Sequence, residues 1–317
     1  MMKKNNNTLE KISIGTLKTY KNLSVFPIIG ENIKQNITHF TKALNENNLK
    51  ITEISDEGYV PEVEVENFHT TPIFIIDGQT IAGFELKQNR IATVSSIIPG
   101  ITKMKLNVLC SEKGRWSRTS RQFASRNSSM FAKGRFAKME KMQKNIDEDI
   151  SSNYNEAADQ EQTWEQINKK FNSFDTYSSS ESMQDLYKNN ELLMENYLKH
   201  LTMPEDAIGV IFAIGKNILG FELFSNKNIF QSLYPQILKS YALDEMENRK
   251  RDNLIPTIKD ANNIIFNANN SIAKQCKNSG LGQLFTINNK DICATILMLD
   301  ETIIHFSCFS KKMQEEL

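Results

Sequence analysis

Gly78-Gln79-Thr80-Ile81-Ala82-Gly83-Phe84-Glu85-Leu86 returns later in the chain as Gly215-Lys216-Asn217-Ile218-Leu219-Gly220-Phe221-Glu222-Leu223. An apolar run precedes each copy, Pro72-Ile73-Phe74-Ile75-Ile76 the first and Gly209-Val210-Ile211-Phe212-Ala213-Ile214 the second. Each copy then opens on a glycine, the residue that tolerates the positive φ of a tight turn. Alternation along the return strand puts Phe84 and Leu86, like Phe221 and Leu223, on one face, and Glu85 and Glu222 on the other. Gly83 and Gly220 permit a bulge or a close backbone approach within that strand. The pattern predicts an α+β fold of two related antiparallel β-rich units flanked by helices. Coincidental hairpin chemistry is the alternative.

Around the first copy, residues 23–29, 50–54 and 62–66 read as half-buried strands. A helix on Ile33, Ile37, Phe40 and Leu44, capped by Asn32, interrupts them. The runs 90–98 and 104–109, split by Pro99-Gly100, complete an antiparallel meander. Between the copies lies a helical insert. Trp164, Ile167 and Phe171 share one helix face, and Ser180 caps a second helix bearing Met183, Leu186, Tyr187, Met194, Tyr197 and Leu201 up to Pro204. After the second copy come a helical pattern from Ile229 to Tyr241, with Pro235 as a kink or a start, and an amphipathic stretch over 258–272. Strands over 284–287, 292–299 and 303–309 close the chain. The expected units are 1–112, 113–205 and 206–317, in one assembly.

The composition, 39% hydrophobic in 317 residues, suffices for a sizeable core. Lys plus Arg equals Asp plus Glu at 38 each, so no global field draws nucleic acid or a membrane. Cys110, Cys276, Cys293 and Cys308 are scattered without a C-x-x-C pair and read as reduced thiols. Met1-Met2-Lys3-Lys4-Asn5-Asn6-Asn7 lacks an apolar core for a signal peptide, and no run of about eighteen apolar residues offers a membrane span. A cytoplasmic location is the expectation.

Two polar clusters are the candidates for chemistry. Glu85, Lys87 and Asn89 share a strand face beside Arg90, a donor and acceptor set suited to a phosphate or ribose, or else a solvated strand end. Cys110-Ser111-Glu112-Lys113-Gly114-Arg115-Trp116 follows a strand. There Arg115 grips a phosphate and Trp116 stacks on a base, or Trp116 seals a core edge while Glu112 pairs with a local arginine. Cys110 as a nucleophile lacks a partner histidine in the sequence. From Lys113 to Lys144 cations interleave with Trp116, Phe123, Phe131 and Phe136, a nucleic-acid-binding pattern that the acidic stretch after it can neutralise. His39, His69, His200 and His305 show no metal-ligand spacing, so neither metal nor cofactor is expected. No P-loop, dinucleotide or nucleophile-elbow motif occurs.

Taken in order, Asp77-Gly78-Gln79-x-Ile81-x-Gly83, Lys87-Gln88-Asn89-Arg90, Cys110-x-Glu112-x-Gly114-Arg115-Trp116 and Gln162-x-Trp164-x-x-Ile167 resemble the ADP-ribosylglycohydrolase and rhodanese-phosphatase-superfamily-associated protein family. So do Phe212-Ala213-Ile214-Gly215, Gly220-Phe221-Glu222-Leu223-Phe224, Ser240-Tyr241-Ala242 and Ile304-His305-Phe306-Ser307-x-Phe309. The resemblance implies a setting of NAD or ADP-ribose metabolism, RNA repair or defence, and carries no assigned reaction. The resulting expectation is a protein that binds or processes an ADP-ribose or NAD-type nucleotide or an RNA end. Its ligand-binding set is Glu85, Lys87, Asn89, Arg90, Glu112, Arg115 and Trp116. A non-catalytic interaction or scaffold protein, with a protein partner and no small-molecule substrate, is the alternative.

Overall fold

Nine strands share the largest sheet of the computed structural model, which describes residues 9–55, 60–82, 88–114, 128–147, 156–247 and 254–314. The sheet takes β1 (Ser13–Ile14), β2 (Lys18–Tyr20) and β3 (Leu23–Ile29) from the N-terminal part. The other six are β12 (Ala207–Ile214), β13 (Asn217–Phe224), β14 (Lys274–Cys276), β15 (Gln283–Asn288), β16 (Ile292–Leu299) and β17 (Thr302–Ser310). Its order is β1-β3-β12-β13-β17-β16-β15-β14, with β2 on β3, and each pairing is antiparallel. Apolar residues crowd both faces, so β12 and β13 are buried nearly throughout. Helix α7 (Ile258–Asn269) covers one face through Ala261, Ile264, Ile265 and Ala268. Helices α2 (Ala132–Asp147) and α6 (Lys227–Glu247) cover the other with Phe136, Met139, Phe230 and Tyr241.

Two smaller sheets complete the architecture. One joins β4 (Thr38–His39), β7 (Ile73–Ile75) and β10 (Ser96–Ile98); the other orders β5 (Leu49–Thr52), β6 (Glu62–Asn67), β11 (Thr102–Cys110), β9 (Arg90–Ala92) and β8 (Thr80–Ile81). Helix α1 (Phe40–Asn45) packs with them, while α3 (Glu156–Ser173), α4 (Met183–Asn189) and α5 (Glu191–His200) form the insert. The fold is α+β, as the sequence pattern indicates.

The two copies sit in different surroundings. The second is a hairpin, β12–β13, turning at Gly215 with φ of +54°. The pairing shifts register beside Gly220, and a Cβ there would stand 2.2 Å from the Cys308 carbonyl oxygen, so bulge and close approach coincide. The first copy also turns at a positive-φ glycine, Gly78 at +73°, but β7 and β8 do not pair across it. Strand β7 pairs with β4 and β10, β8 pairs with β9, and Asp77-Gly78 carries the chain from one sheet to the other. The expected meander is likewise divided, with β9 joining β11 and β10 joining β7.

Local differences have local causes. Only 40–45 of the expected 33–44 helix is helical, and Asn32 Oδ1 instead accepts from Lys227 N at 3.0 Å, at the start of α6. Ser182 rather than Ser180 caps α4, and Asn190 separates α4 from α5. Pro235 lies inside a continuous α6, and α7 ends at Asn269 before β14, a short strand the periodicity does not announce.

Gly220→Ala pushes a methyl group into the β17 backbone. It should cost about 3 kcal/mol in urea unfolding, the upper part of the range for overpacking.

Candidate functional site

The two polar clusters are rooted side by side. Arg90 opposes Cys110 across β9 and β11, and Ile81 opposes Arg90 across β8 and β9. On the far side of β8, Thr80 N donates to Ser128 O at 3.0 Å and Met130 N to Gly78 O at 2.8 Å. Residues 128–130, β8, β9 and β11 thus form one row of chain ends. The segments 83–87 and 115–127, with Glu85, Lys87, Arg115 and Trp116, lie outside the described residues.

Of the described members of the set, Asn89 and Glu112 hold each other, while Arg90 is held by Gln88 and Glu53. The Glu112 carboxylate is 2% exposed; it accepts from Asn89 N at 2.6 Å and from Asn89 Nδ2 at 3.2 Å. Ser111 N donates to Asn89 O at 2.9 Å, which closes a clasp between the start of β9 and the exit of β11. Arg90 is fully buried, donates through Nη1 to Gln88 O at 2.9 Å and stands 3.4 Å from Glu53 Oε1. The Cys110 thiol donates to Gln88 Oε1 at 2.8 Å, and burial pushes it up to about 12, so at neutral pH it carries its proton. Gln160 of α3 accepts from Cys110 N at 2.6 Å and donates to Cys110 O at 3.0 Å.

A second polar centre lies deeper, where the sequence suggested only strand and turn residues. Arg135 of α2 is fully buried. Its Nε donates to Asp77 Oδ2 at 3.1 Å, Nη1 stands 2.7 Å from Glu222 Oε1, and Nη2 donates to Ser307 Oγ at 3.1 Å. One helical turn on, Lys138 Nζ donates to Asp77 Oδ1 and to the carbonyls of Ala92 and Thr93. Glu222 also meets His305 Nε2 at 2.9 Å, and His305 Nδ1 meets Ser95 Oγ at 2.8 Å. Ser95 Oγ in turn accepts from Asp77 N at 2.9 Å. Ser95 and Glu222 thus hold the His305 ring from its two nitrogens. Cross-strand register builds the cluster: Glu222 opposes Ser307 and Phe224 opposes His305, on the face that α2 covers.

The charges follow from this packing. Burial alone would raise the Glu222 carboxyl, but Arg135 and then His305 outweigh it and hold it below its ordinary value. Burial lowers Lys138, with Asp77 opposing, while Arg135 is raised, its own burial outweighed by Glu222 and Asp77. The Tyr241 hydroxyl, raised by burial and by Glu222, has no hydrogen-bond partner among the described residues.

The basic run is only partly a wet face. Arg135 and Lys138 point inward, Lys133 meets Glu247 at 3.3 Å, and Lys141 meets Asp159 of the acidic stretch at 2.9 Å. A recess between α2 and α3, beside Lys138, Lys141 and Thr163, has a volume of about 10 Å³, room for one water. Another, of about 130 Å³, lies between Ile12, Ile33, Ile208 and Ile303, below the roughly 300–1,000 Å³ of small-molecule pockets. Among the described residues no group of three or more His, Cys, Asp and Glu is placed to hold a metal ion, and no helix is long and apolar enough to cross a membrane.

Asp77, Glu222 and His305 each stand in a motif quoted above, but nothing in their spacing announces a shared partner. Arg135 sits within the basic run, indistinguishable there from its solvated neighbours. The family whose model matches the chain, over residues 11–309, is described as the ARG and Rhodanese-Phosphatase-superfamily-associated Protein domain. Searches of curated proteins and of solved structures returned no match.

Glu222→Ala strands a buried guanidinium and should cost about 3–5 kcal/mol in equilibrium unfolding. The folded Glu222 carboxyl lies below its ordinary 4.5, so its stabilisation is present above that value and is lost as pH falls through the lowered one. Melting temperature between pH 3 and 6 should therefore drop more steeply in the unmodified protein than in Glu222→Gln.

Proposed function

The chain belongs to the ARG and Rhodanese-Phosphatase-superfamily-associated Protein family, and we propose that it binds an anionic, nucleotide-type ligand at the row of chain ends around Asn89 and Glu112. The family's description supports a nucleotide-related setting and no finer statement. The ligand class we infer is an ADP-ribose or NAD-type nucleotide or the phosphorylated end of an RNA. The observation that carries this reading is the clasp itself. It seats Asn89 and Glu112 against each other, and in sequence these stand two positions from Lys87 and three from Arg115. In this reading Lys87, Arg115 and Trp116 belong to the anionic site, with the two cations on the phosphate. Glu112, Asn89 and Arg90 hold the backbone. No reaction is assigned.

A non-catalytic interaction protein is the second reading, favoured by the mutual pairing of Asp77, Arg135, Glu222 and His305 within a buried core. A thermal-shift panel of ADP-ribose, NAD, a cyclic phosphate and a short RNA separates the two. Ligand at 100 times its dissociation constant adds about 2.7 kcal/mol, and Arg115→Ala should remove the shift. Melting temperatures that stay put at millimolar ligand favour the second reading. RNA held through the basic run should bind with an affinity that falls steeply with salt.

A further inference from the structure

We propose that Trp164 of α3 is the platform on which a planar base of the nucleotide stacks, with Lys113 meeting its phosphate. This rests on the nucleotide-binding reading above and adds to it the base-recognising residue. Gln160, bonded to both backbone groups of Cys110, fixes α3 against the end of β11. Trp164 lies one helical turn further along the same face, beside the stretch that runs from Cys110 to Gly114. Its ring is half-buried, whereas Ile167 and Phe171 on that helix are buried in the core.

The exposed Lys113 ammonium lies 5.6 Å from the centre of the Trp164 ring. A cation held over an indole marks a ring face electrostatically set for a positive or electron-poor partner. Trp164 Nε1 has no acceptor among the described residues, unlike most buried indoles. An adenine or nicotinamide ring laid on this face would displace Lys113 sideways, toward the phosphate attached to the same ligand.

The chain holds two tryptophans, so 5-fluorotryptophan labelling gives two 19F resonances, and the one lost in Trp164→Phe belongs to Trp164. AMP and NAD should move that resonance in the otherwise unmodified protein. Trp164→Ala should weaken both about tenfold while ribose 5-phosphate, which has no base, binds within twofold of before. A Trp164 resonance that stays fixed while these ligands raise the melting temperature overturns the platform and leaves the anionic site standing. Equal losses for AMP and ribose 5-phosphate also overturn it, since they show Trp164 merely supporting the fold. If no ligand changes melting temperature or resonance, the nucleotide site fails and the platform with it. The resonance is read on folded protein, so the test survives a Trp164→Ala variant that does not fold.

Discussion

A guanidinium with no access to water, Arg135, is the constraint around which the rest is arranged. Moving such a charge out of solvent is tolerable only where anions and acceptors are brought to meet it. Asp77, Glu222 and Ser307 supply them from a turn and from two neighbouring strands. The requirement is geometric as well as electrostatic. Gly78 must bring the Asp77 carboxylate close under α2, and a Cβ on Gly78 would already stand 3.0 Å from the Arg135 side chain. The same demand fixes the height of α2 over the large sheet, because Phe136 and Met139 of that helix enter the core beside it. Lys138 then ties the helix to the end of β9 through the Ala92 and Thr93 carbonyls. Sheet, turn and helix are thus held by one set of charges rather than by apolar burial alone.

The strands were the legible part of this fold, for a physical reason. Residues such as 292–299 and 303–309 are apolar nearly throughout because both faces of the large sheet are covered, and turn residues bound them sharply. Pairing was not legible. Alternation says which face a side chain takes but not which strand lies alongside, so β7 and β10 could not be distinguished from members of a meander. Helix α2 was concealed by the charges that make it necessary. Its inward face includes Arg135 and Lys138 among Ala132, Phe136 and Met139, which breaks the apolar stripe by which a helix is recognised. Asn32 misled in the opposite direction, since a capping residue serves whichever helix start is near it in space, here that of α6.

The candidate site was legible as a set of residue types and not as a set of contacts. Glu112 and Asn89 carry the right chemistry in the sequence, and their partnership across 23 positions appears only when β9 and β11 are aligned. Arg90 looked like a ligand-gripping cation and proves to be buried against Glu53. Trp164 looked like a core residue by its spacing with Ile167 and Phe171, yet Lys113 meets its half-buried ring. In each case one helix face or strand face is read correctly, and the residue's role is decided by what a distant element places against it.

The duplicated stretch acquires its meaning from this same rule. Over the described residues the copies diverge, one a bulged hairpin in the middle of the large sheet and the other, at 78–82, a passage between two small ones. Their carboxylates nevertheless converge. Asp77, the residue before the first copy, and Glu222, within the second, bind the same guanidinium from two sides. A positive-φ glycine at the head of each copy serves this end differently: Gly215 turns β12 back as β13, which carries Glu222, while Gly78 lets Asp77 turn under α2. Only the first copy is followed by the clasp with Glu112, at the row of strand ends. The buried charges pair with one another, and the polar groups that reach water lie at such a margin, where Asn89 is half-buried and Lys113 exposed. The paired core then acts as the rigid base from which that margin is held.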